Sequence, residues 1–499
     1  MNSSFKRTWI YFIIFALLVA LVRLPTLGIV LDTDSSANAF LARQMLRGET
    51  LYDKFHTAHH LPGIYYTNLL AFRLFGDNPV SPKILLIIFM LAGTWMLFLM
   101  GRELFDRPVG LLAAFFYILG TSQLNLAGTT AEMEHFAIPF MITTVFLFFL
   151  LYKKDAPALH FIWVGVLGAV SMLYKIIFVP SLVAIGFAIL LGAWIERKKE
   201  GTIKKAFLRL VMIGLGVVIP LLLTGAYFAA LGLWERFQLV FKLGFQYTGD
   251  QSLTYPLPKP FGFPLFMLAM NNIALLVIAA LGVYHLAQRS YSLKTFASLV
   301  DVTFLIWLFT ALVLAGFRGG GYQHYVLIVI PPLAVTAAFE IMSNYRKWRE
   351  SSPKTAVRIG TGVVVGLIVL NFLWNNYDLY RYYIPNGPHK ETSYPAIEAR
   401  RMEVFDYIKA HTAPDDFIYV WSINVQAYYY ADRLPPIDIL WPSYVSATGA
   451  PERIFDPRTK YIIASEENIL ARPEWFKNGL AQNYFLEIII NDTEIYRRK

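Results

Sequence analysis

Residues 6–34 read KRTWIYFIIFALLVALVRLPTLGIVLDTD: two basic residues, an apolar run over 9–29, then two carboxylates, Asp32 and Asp34. A helix needs about 20 mostly apolar residues to cross a bilayer, and this run has them. It continues beyond signal-peptide length into Arg23 and Pro25 with no small-residue cleavage site, so it is expected to remain as a membrane anchor. Ten further runs follow, centred on 83–101, 108–126, 135–152, 159–174, 176–195, 207–230, 263–283, 300–316, 325–343 and 357–374. The composition agrees: 56% of the 499 residues are hydrophobic and 16% charged, against roughly 45–50% and 25% in soluble domains. The expected fold is a multi-pass α-helical membrane protein of about eleven spans.

The formal charge of +10 invites a nucleic-acid reading until the charges are placed. Short loops rich in Lys and Arg stay cytoplasmic. With the N-terminus inside, the N-terminus and one set of loops together hold 19 of the 44 basic residues and six of the 34 acids. The opposite short loops hold only Lys175, Arg236, Lys242, Lys259 and Arg318. The charge is therefore a topology signal, N-terminus in and C-terminus out, and no nucleic-acid partner is expected. The complete lack of cysteine excludes disulfides, thiolate metal sites and cysteine nucleophiles.

The chain divides into a transmembrane catalytic domain, 1–374, and an extracytoplasmic α/β domain, 375–499. In the first, the outer loop 32–80 carries two helical patterns, Ser35 to Leu46 and Pro62 to Phe75, expected to lie along the membrane surface. A second outer loop, 232–262, is rich in proline and is expected to act as a lid. The tail reads as helix (Pro395 to His411), strand (Phe417 to Trp421), helix (Asn424 to Ala431), strand (Lys460 to Ala464), helix (Pro473 to Ala481) and strand (Phe485 to Ile490).

Ionisable residues gather near the outer ends of the spans: Asp32, Asp34, His56, His59, His60, Glu132, Glu134, His135, Lys175, Arg318, His324 and the adjoining Tyr325. Acids at a bilayer edge are costly and tend to serve function. Each has a plainer reading. Asp32 or Asp34 can cap a helix. Glu132 and Glu134 can answer a helix dipole, and being two apart they point to different helix faces. Lys175 or Arg23 can snorkel to the interface. Arg318, before Gly319 to Gly321, either grips phosphate oxygens or sits solvated on a flexible turn. His56, His59 and His60 with Glu132 have the donor types for a divalent metal, though their spacing matches no closed site.

The stretch from Asp34 through Arg43 to Gly48, with Leu51-Tyr-Asp, His60-Leu-Pro-Gly-Ile-Tyr-Tyr66 and Leu74-Phe-Gly76, resembles the first outer loop of the GT-C glycosyltransferases. The resemblance is to the branch containing protein O-mannosyltransferases and the lipid A aminoarabinose transferase. In the tail, Val404-Phe-Asp-Tyr-Ile408, Phe417-Ile-Tyr-Val-Trp-Ser and Tyr428-Tyr-Tyr-Ala-Asp-Arg433-Leu-Pro-Pro are similar to the outer domain of bacterial members. The resemblance implies a polyprenyl-phosphate sugar donor and a glycan, lipid or protein acceptor. The implied place of action is the extracytoplasmic face of a bacterial plasma membrane.

Residue by residue, the resemblance puts Asp34 at the catalytic aspartate, spaced from Arg43, with Ser35 where an acid often follows. Glu132 falls at a second outer-loop acid and Lys175 at a basic residue. His60 stands where a lysine is common, and Leu61 replaces a proline. The Trp-Trp-Asp signature of oligosaccharyltransferases is missing. The implied reaction is inverting: Asp34 takes the acceptor proton, while Lys175, Arg318, His60, His324 and Tyr325 hold the leaving phosphate. The rivals are a transporter or flippase, which requires ionisable groups at the midplane, and a non-catalytic scaffold displaying the tail.

Overall fold

The computed structural model describes residues 3–499 other than 57–59, 253–258, 292–294, 318–321, 352, 385–389, 423, 449 and 466–471. Its helices run α1 Ser3–Arg23, α2 Thr33–Leu46, α3 Pro62–Phe75, α4 Ser81–Leu104, α5 Arg107–Gly120, α6 Met133–Lys153, α7 Ile162–Met172, α8 Pro180–Ile195 and α9 Thr202–Ala230. They continue with α10 Trp234–Ser252, α11 Lys259–Ser290, α12 Phe296–Phe317, α13 Ile330–Ser351, α14 Lys354–Asn375, α15 Tyr377–Arg381, α16 Tyr394–Ala410, α17 Gln426–Tyr430 and α18 Glu474–Asn483. Four strands lie in the tail: β1 Phe417–Trp421, β2 Thr459–Ser465, β3 Tyr484–Ile490 and β4 Thr493–Arg498. The chain forms two compact units, one of residues 1–24, 86–227 and 247–377, the other of 25–85, 228–246 and 378–499.

The first is the membrane unit. Among the described residues nine helices are long and apolar enough to cross a bilayer, and two of the expected runs are shorter helices, Arg107–Gly120 and Ala158–Met172. Helix α7 closes on α9 through glycines: a Cβ on Gly165 would stand 2.1 Å from the carbonyl oxygen of Ile213, and one on Gly216 2.0 Å from that of Ile162. Small residues permit such backbone approach, where packing rather than water drives association. Helix α11 is interrupted at Asn272 (φ −160°, ψ 78°). The Asn272 side chain accepts from the Leu275 N–H at 2.9 Å and donates to the Ile368 carbonyl at 3.3 Å, so the break leaves fewer backbone groups unmet in the apolar layer.

Loops that the charge pattern assigned to one side meet at one end of this unit. Lys153 pairs with Glu103 at 2.9 Å, Arg346 with Asp106, and Lys205 and Arg209 with Asp155 at 2.6 and 2.7 Å. At the other end, Asn376 donates to Gln123 at 3.1 Å and accepts from the Leu124 N–H at 2.9 Å.

The second unit carries a four-stranded sheet in the order β1-β2-β4-β3, with β1 and β2 parallel and the other pairs antiparallel. Tyr419, Trp421, Ile462 and Ala464 on one face pack against Phe476 and Leu480 of α18. The expected strands and helices of the tail are all present, and β4 is additional.

Helix α2, expected along a membrane surface, is enclosed by protein: every residue from Ser35 to Gln44 is buried. Ser35, Ser36, Ala37, Ala39 and Ala42 keep its surface thin enough to be enclosed by protein. Tail residues do part of this, since Gln426 donates to the Leu31 carbonyl at 3.0 Å and the Tyr430 hydroxyl accepts from the Leu31 N–H at 2.7 Å. The tail from 378 thus shares its compact unit with the first outer loop. The expected lid 232–262 is helical over Trp234–Ser252, and Pro256 and Pro258 lie outside the described residues. Arg236 fastens its start, donating to the Tyr52 and Asp53 carbonyls at 2.9 and 3.0 Å and to Asp438.

Candidate active site

Within the membrane unit the sequence candidates converge at the end away from the basic loops. Glu134, in the first turn of α6, is fully buried. Its Oε1 accepts from Lys175 Nζ at 3.2 Å and lies 3.9 Å from His324 Nε2. The Lys175 ammonium stands 3.9 Å from the centre of the Tyr325 ring, against which the His324 ring packs edge-on at 4.6 Å. Lys175 precedes a 3-10 turn (Ile176–Phe178) between α7 and α8, and His324 and Tyr325 lie on another (Gln323–Val329) before α13. Three connections thus deliver one acid, two bases and an aromatic face to one spot. Burying charge costs several kcal/mol per ion unless the ions are paired and hydrogen-bonded, so this cluster is expensive to keep.

Lys175 does not snorkel, since it is only 5% exposed. Glu132, at the N-cap of α6, is also buried, and its side chain does not cap the helix. It is Glu134, two residues on, that meets Lys175. His135, next to Glu134, donates through Nε2 to the Thr121 carbonyl at 3.1 Å. Arg23 is 1% exposed rather than snorkelling. Its guanidinium donates to Thr121 at 2.6 Å, to Gly128, and to the Met90 sulfur at 3.1 Å, pinning the 121–128 connection. Arg318 lies outside the described residues.

In the second unit, Asp32 is the N-cap of α2 and accepts from the Ser35 N–H at 3.3 Å. Asp34, two residues on in the first turn, is half-buried where the helix dipole favours a carboxylate. The capping role falls to Asp32, and Asp34 is the acid that capping does not explain. Arg43, three turns along the helix, is a structural clamp. It pairs with Asp77 at 2.8 Å, donates to the Tyr429 carbonyl at 2.6 Å and stacks 3.8 Å above the Tyr429 ring. The two stretches singled out in loop and tail are therefore docked on each other.

The described histidines of the first loop, His56 and His60, have separate partners. His60 donates from Nδ1 to Asn38 at 3.1 Å, and its carbonyl accepts from the Tyr52 hydroxyl at 2.8 Å. His56 stacks on Tyr52 with ring centres 4.7 Å apart and meets the Arg236 carbonyl at 3.2 Å. Burial pulls His56 down to about 4, its hydrogen bond to Arg236 opposing. His59 lies outside the described residues, and among those described no group of three or more His, Asp or Glu is arranged to hold a metal.

Sequence reasoning missed Glu398 on α16, a buried carboxylate. Burial raises it above its usual range against the pull of Arg401, and Asp32 raises it further. It also missed Lys83, whose ammonium donates to the Thr26 carbonyl at 2.8 Å and to that of Ile29. Neither carries a local signal, because both look like ordinary helix-surface charges until the tertiary fold closes over them.

These features define a multi-pass membrane protein with a buried acid–base cluster at one end of its bundle and an α/β module in its C-terminal part. Its fold is that of the GT-C glycosyltransferases. The match to the crystal structure of ArnT from Cupriavidus metallidurans bound to undecaprenyl phosphate has a TM-score of 0.64 at 14% identity, covering 98% of this chain and 97% of that one. The match to AglB, the Archaeoglobus fulgidus oligosaccharyltransferase in complex with an inhibitory peptide and a dolichol-phosphate, has a TM-score of 0.57 at 13% identity, covering 100% of this chain and 75% of that one. In sequence, residues 59–223 match the family described as dolichyl-phosphate-mannose-protein mannosyltransferase. No curated protein matches the chain in sequence.

Proposed function

We propose that the chain is an inverting glycosyltransferase that moves a sugar from a polyprenyl-phosphate carrier to a hydroxyl or phosphate acceptor on the extracytoplasmic face of a membrane. The observation that carries this reading is the buried Glu134–Lys175–His324–Tyr325 cluster in a bundle of GT-C fold. The solved relatives support the donor class, one holding undecaprenyl phosphate and another dolichol-phosphate.

The leaving group of such a donor is already an anion and requires cations more than a general acid. Lys175 and His324 supply them, fixed beforehand by Glu134 and Tyr325, so little reorganisation is needed as charge builds on the phosphate. Asp34 is assigned as the base that removes the acceptor proton while its oxygen attacks the anomeric carbon. The roles of Lys175 and His324 rest on contacts inside the membrane unit, and that of Asp34 on its place in the first turn of α2.

The test is transfer of labelled sugar from a polyprenyl-phosphate donor in membranes, with Asp34→Asn against wild type and Asp32→Asn as control. Loss of a general base costs about 10² to 10⁴ in rate. Full activity in a correctly inserted Asp34→Asn protein refutes the assignment. Loss in the Asp32 variant alone moves the base to that residue.

A further inference from the structure

Asp34 lies in a turn whose backbone is held by side chains of the tail. Leu31, the residue before the Asp32 cap, is fully buried. Its N–H donates to the Tyr430 hydroxyl at 2.7 Å, and its carbonyl accepts from Gln426 Nε2 at 3.0 Å. The same carbonyl accepts from Ser36 Oγ at 3.1 Å. Leu31 and Ser36, on either side of Asp34 in the chain, are therefore joined across the start of α2, and Gln426 holds the oxygen that joins them. The far end of the helix is gripped by the neighbouring Tyr429, whose carbonyl accepts from Arg43 in the last turn. Both ends of α2 are thus fixed by one short helix, α17.

The two side chains that reach Leu31 are themselves set. The Tyr430 ring lies flat against Phe405 of α16, with 5.6 Å between centres and 6° between planes. Burial raises its phenol above the usual range, the bond to Leu31 opposing and the Asp32 and Glu398 carboxylates adding to the rise. The hydroxyl so stays neutral beside the acid-bearing turn and accepts from the Leu31 N–H. Gln426 is fully buried, and its Oε1 has no hydrogen-bond partner among the described residues. A buried acceptor left unmet is destabilising, and the carbonyl that Gln426 serves already has Ser36. An apolar side chain of similar length would leave no such group unmet. What the amide adds is a second fixed donor on the Leu31 carbonyl, and local costs of this kind are expected where a reacting group has to be held in place.

We propose that Gln426 and Tyr430 are positioning residues for the base, through which the tail holds the first turn of α2 and presents the Asp34 carboxylate in one orientation. The inference rests on the assignment of Asp34 as the base. Misplacing a reacting group by about 1 Å can lower the rate up to about 10²-fold, so loss of one of two or three backbone anchors belongs in the range of about tenfold.

The experiment measures kcat and donor KM of the full chain, per correctly folded molecule, for Gln426→Met and Tyr430→Phe, each alone and combined with Asp34→Asn, together with thermal midpoints. Each single variant is expected to lower kcat about tenfold with donor KM within about twofold of wild type, since orientation is lost and donor contacts are kept. Gln426→Met, which also removes the unmet Oε1, is expected to keep its midpoint. In the Asp34→Asn background neither variant lowers kcat further, because no base remains to be oriented. Unchanged kcat in both single variants, with or without a lower midpoint, overturns the proposal. A loss that appears in KM instead, or that persists in full in the Asp34→Asn background, also overturns it. Full activity in Asp34→Asn refutes the base assignment and this inference with it, whereas the expected loss there beside unaffected Gln426 and Tyr430 variants refutes this inference alone.

Discussion

Acidification should loosen the loop around His56 by an amount the structure supplies. The ring is buried, stacked on Tyr52 and bonded through Nε2 to the Arg236 carbonyl, and Nδ1 faces no acceptor. A proton on Nδ1 would be a buried donor without a partner, with the Arg236 guanidinium adding repulsion and Asp438 a smaller attraction. His56 is therefore held down at about 4 in the folded chain, against about 6.5 unfolded. Between these values the unfolded state binds the extra proton, so stability falls as pH drops from about 6.5 and levels off below 4. From pH 7 to 4.5 the loss integrates to about 2 kcal/mol. His56→Phe keeps the stack, loses the hydrogen bond for about 1 kcal/mol, and removes the titration. The variant should be less stable at pH 7, more stable at pH 4.5, and cross the wild type between pH 5 and 6. The assay is hydrogen exchange of the full chain in detergent, corrected for intrinsic rates, read at the His56 and Leu440 amides that tie this loop to the tail. Parallel pH curves for the two proteins would refute the argument.

Removing the α2 cap with Asp32→Ala should cost about 1 kcal/mol, seen as a lower denaturation midpoint with sugar transfer largely retained. In the buried pair, Glu134→Gln or Lys175→Met alone should cost about 3–5 kcal/mol by stranding a charge. The double variant should recover part of that in a thermal double-mutant cycle, and equal destabilisation in all three would contradict the pairing. Arg43→Lys should fail to rescue Arg43→Ala, because an ammonium cannot span Asp77, the Tyr429 carbonyl and the Tyr429 ring together. Proteolysis of the tail would report both.

What could be read from the chain alone followed periodicity and charge. The apolar runs gave the membrane helices, and the sorting of Lys and Arg matches the ion pairs of Lys153, Lys205 and Arg346 at one end. Strands β1, β2 and β3 showed themselves as β-branched and aromatic runs. Strand β4 did not: Thr493–Arg498 reads TEIYRR, with only Ile495 buried. It becomes a strand because β2 and β3 both offer it hydrogen bonds. The break at Asn272 was equally silent, since asparagine in an apolar run announces no kink until Leu275 and Ile368 supply its bonds.

The site divides along the same line. Residue type and position near span ends picked out Glu134, Lys175 and His324, but only the folded connections show that they share one oxygen of Glu134. Arg43 shows the opposite case, a candidate whose contacts are structural. Its spacing from Asp34 made it resemble chemistry, while its partners Asp77 and Tyr429 lie 34 and 386 residues away. A charged residue held by contacts so distant in sequence leaves no local trace of its role. Asp34 differs from Arg43 here: Asp32 satisfies the cap, and Asp34, two residues on in the first turn, is placed where the helix dipole suits a carboxylate whether or not it takes part in chemistry. Only sugar transfer by Asp34→Asn against Asp32→Asn separates the two roles.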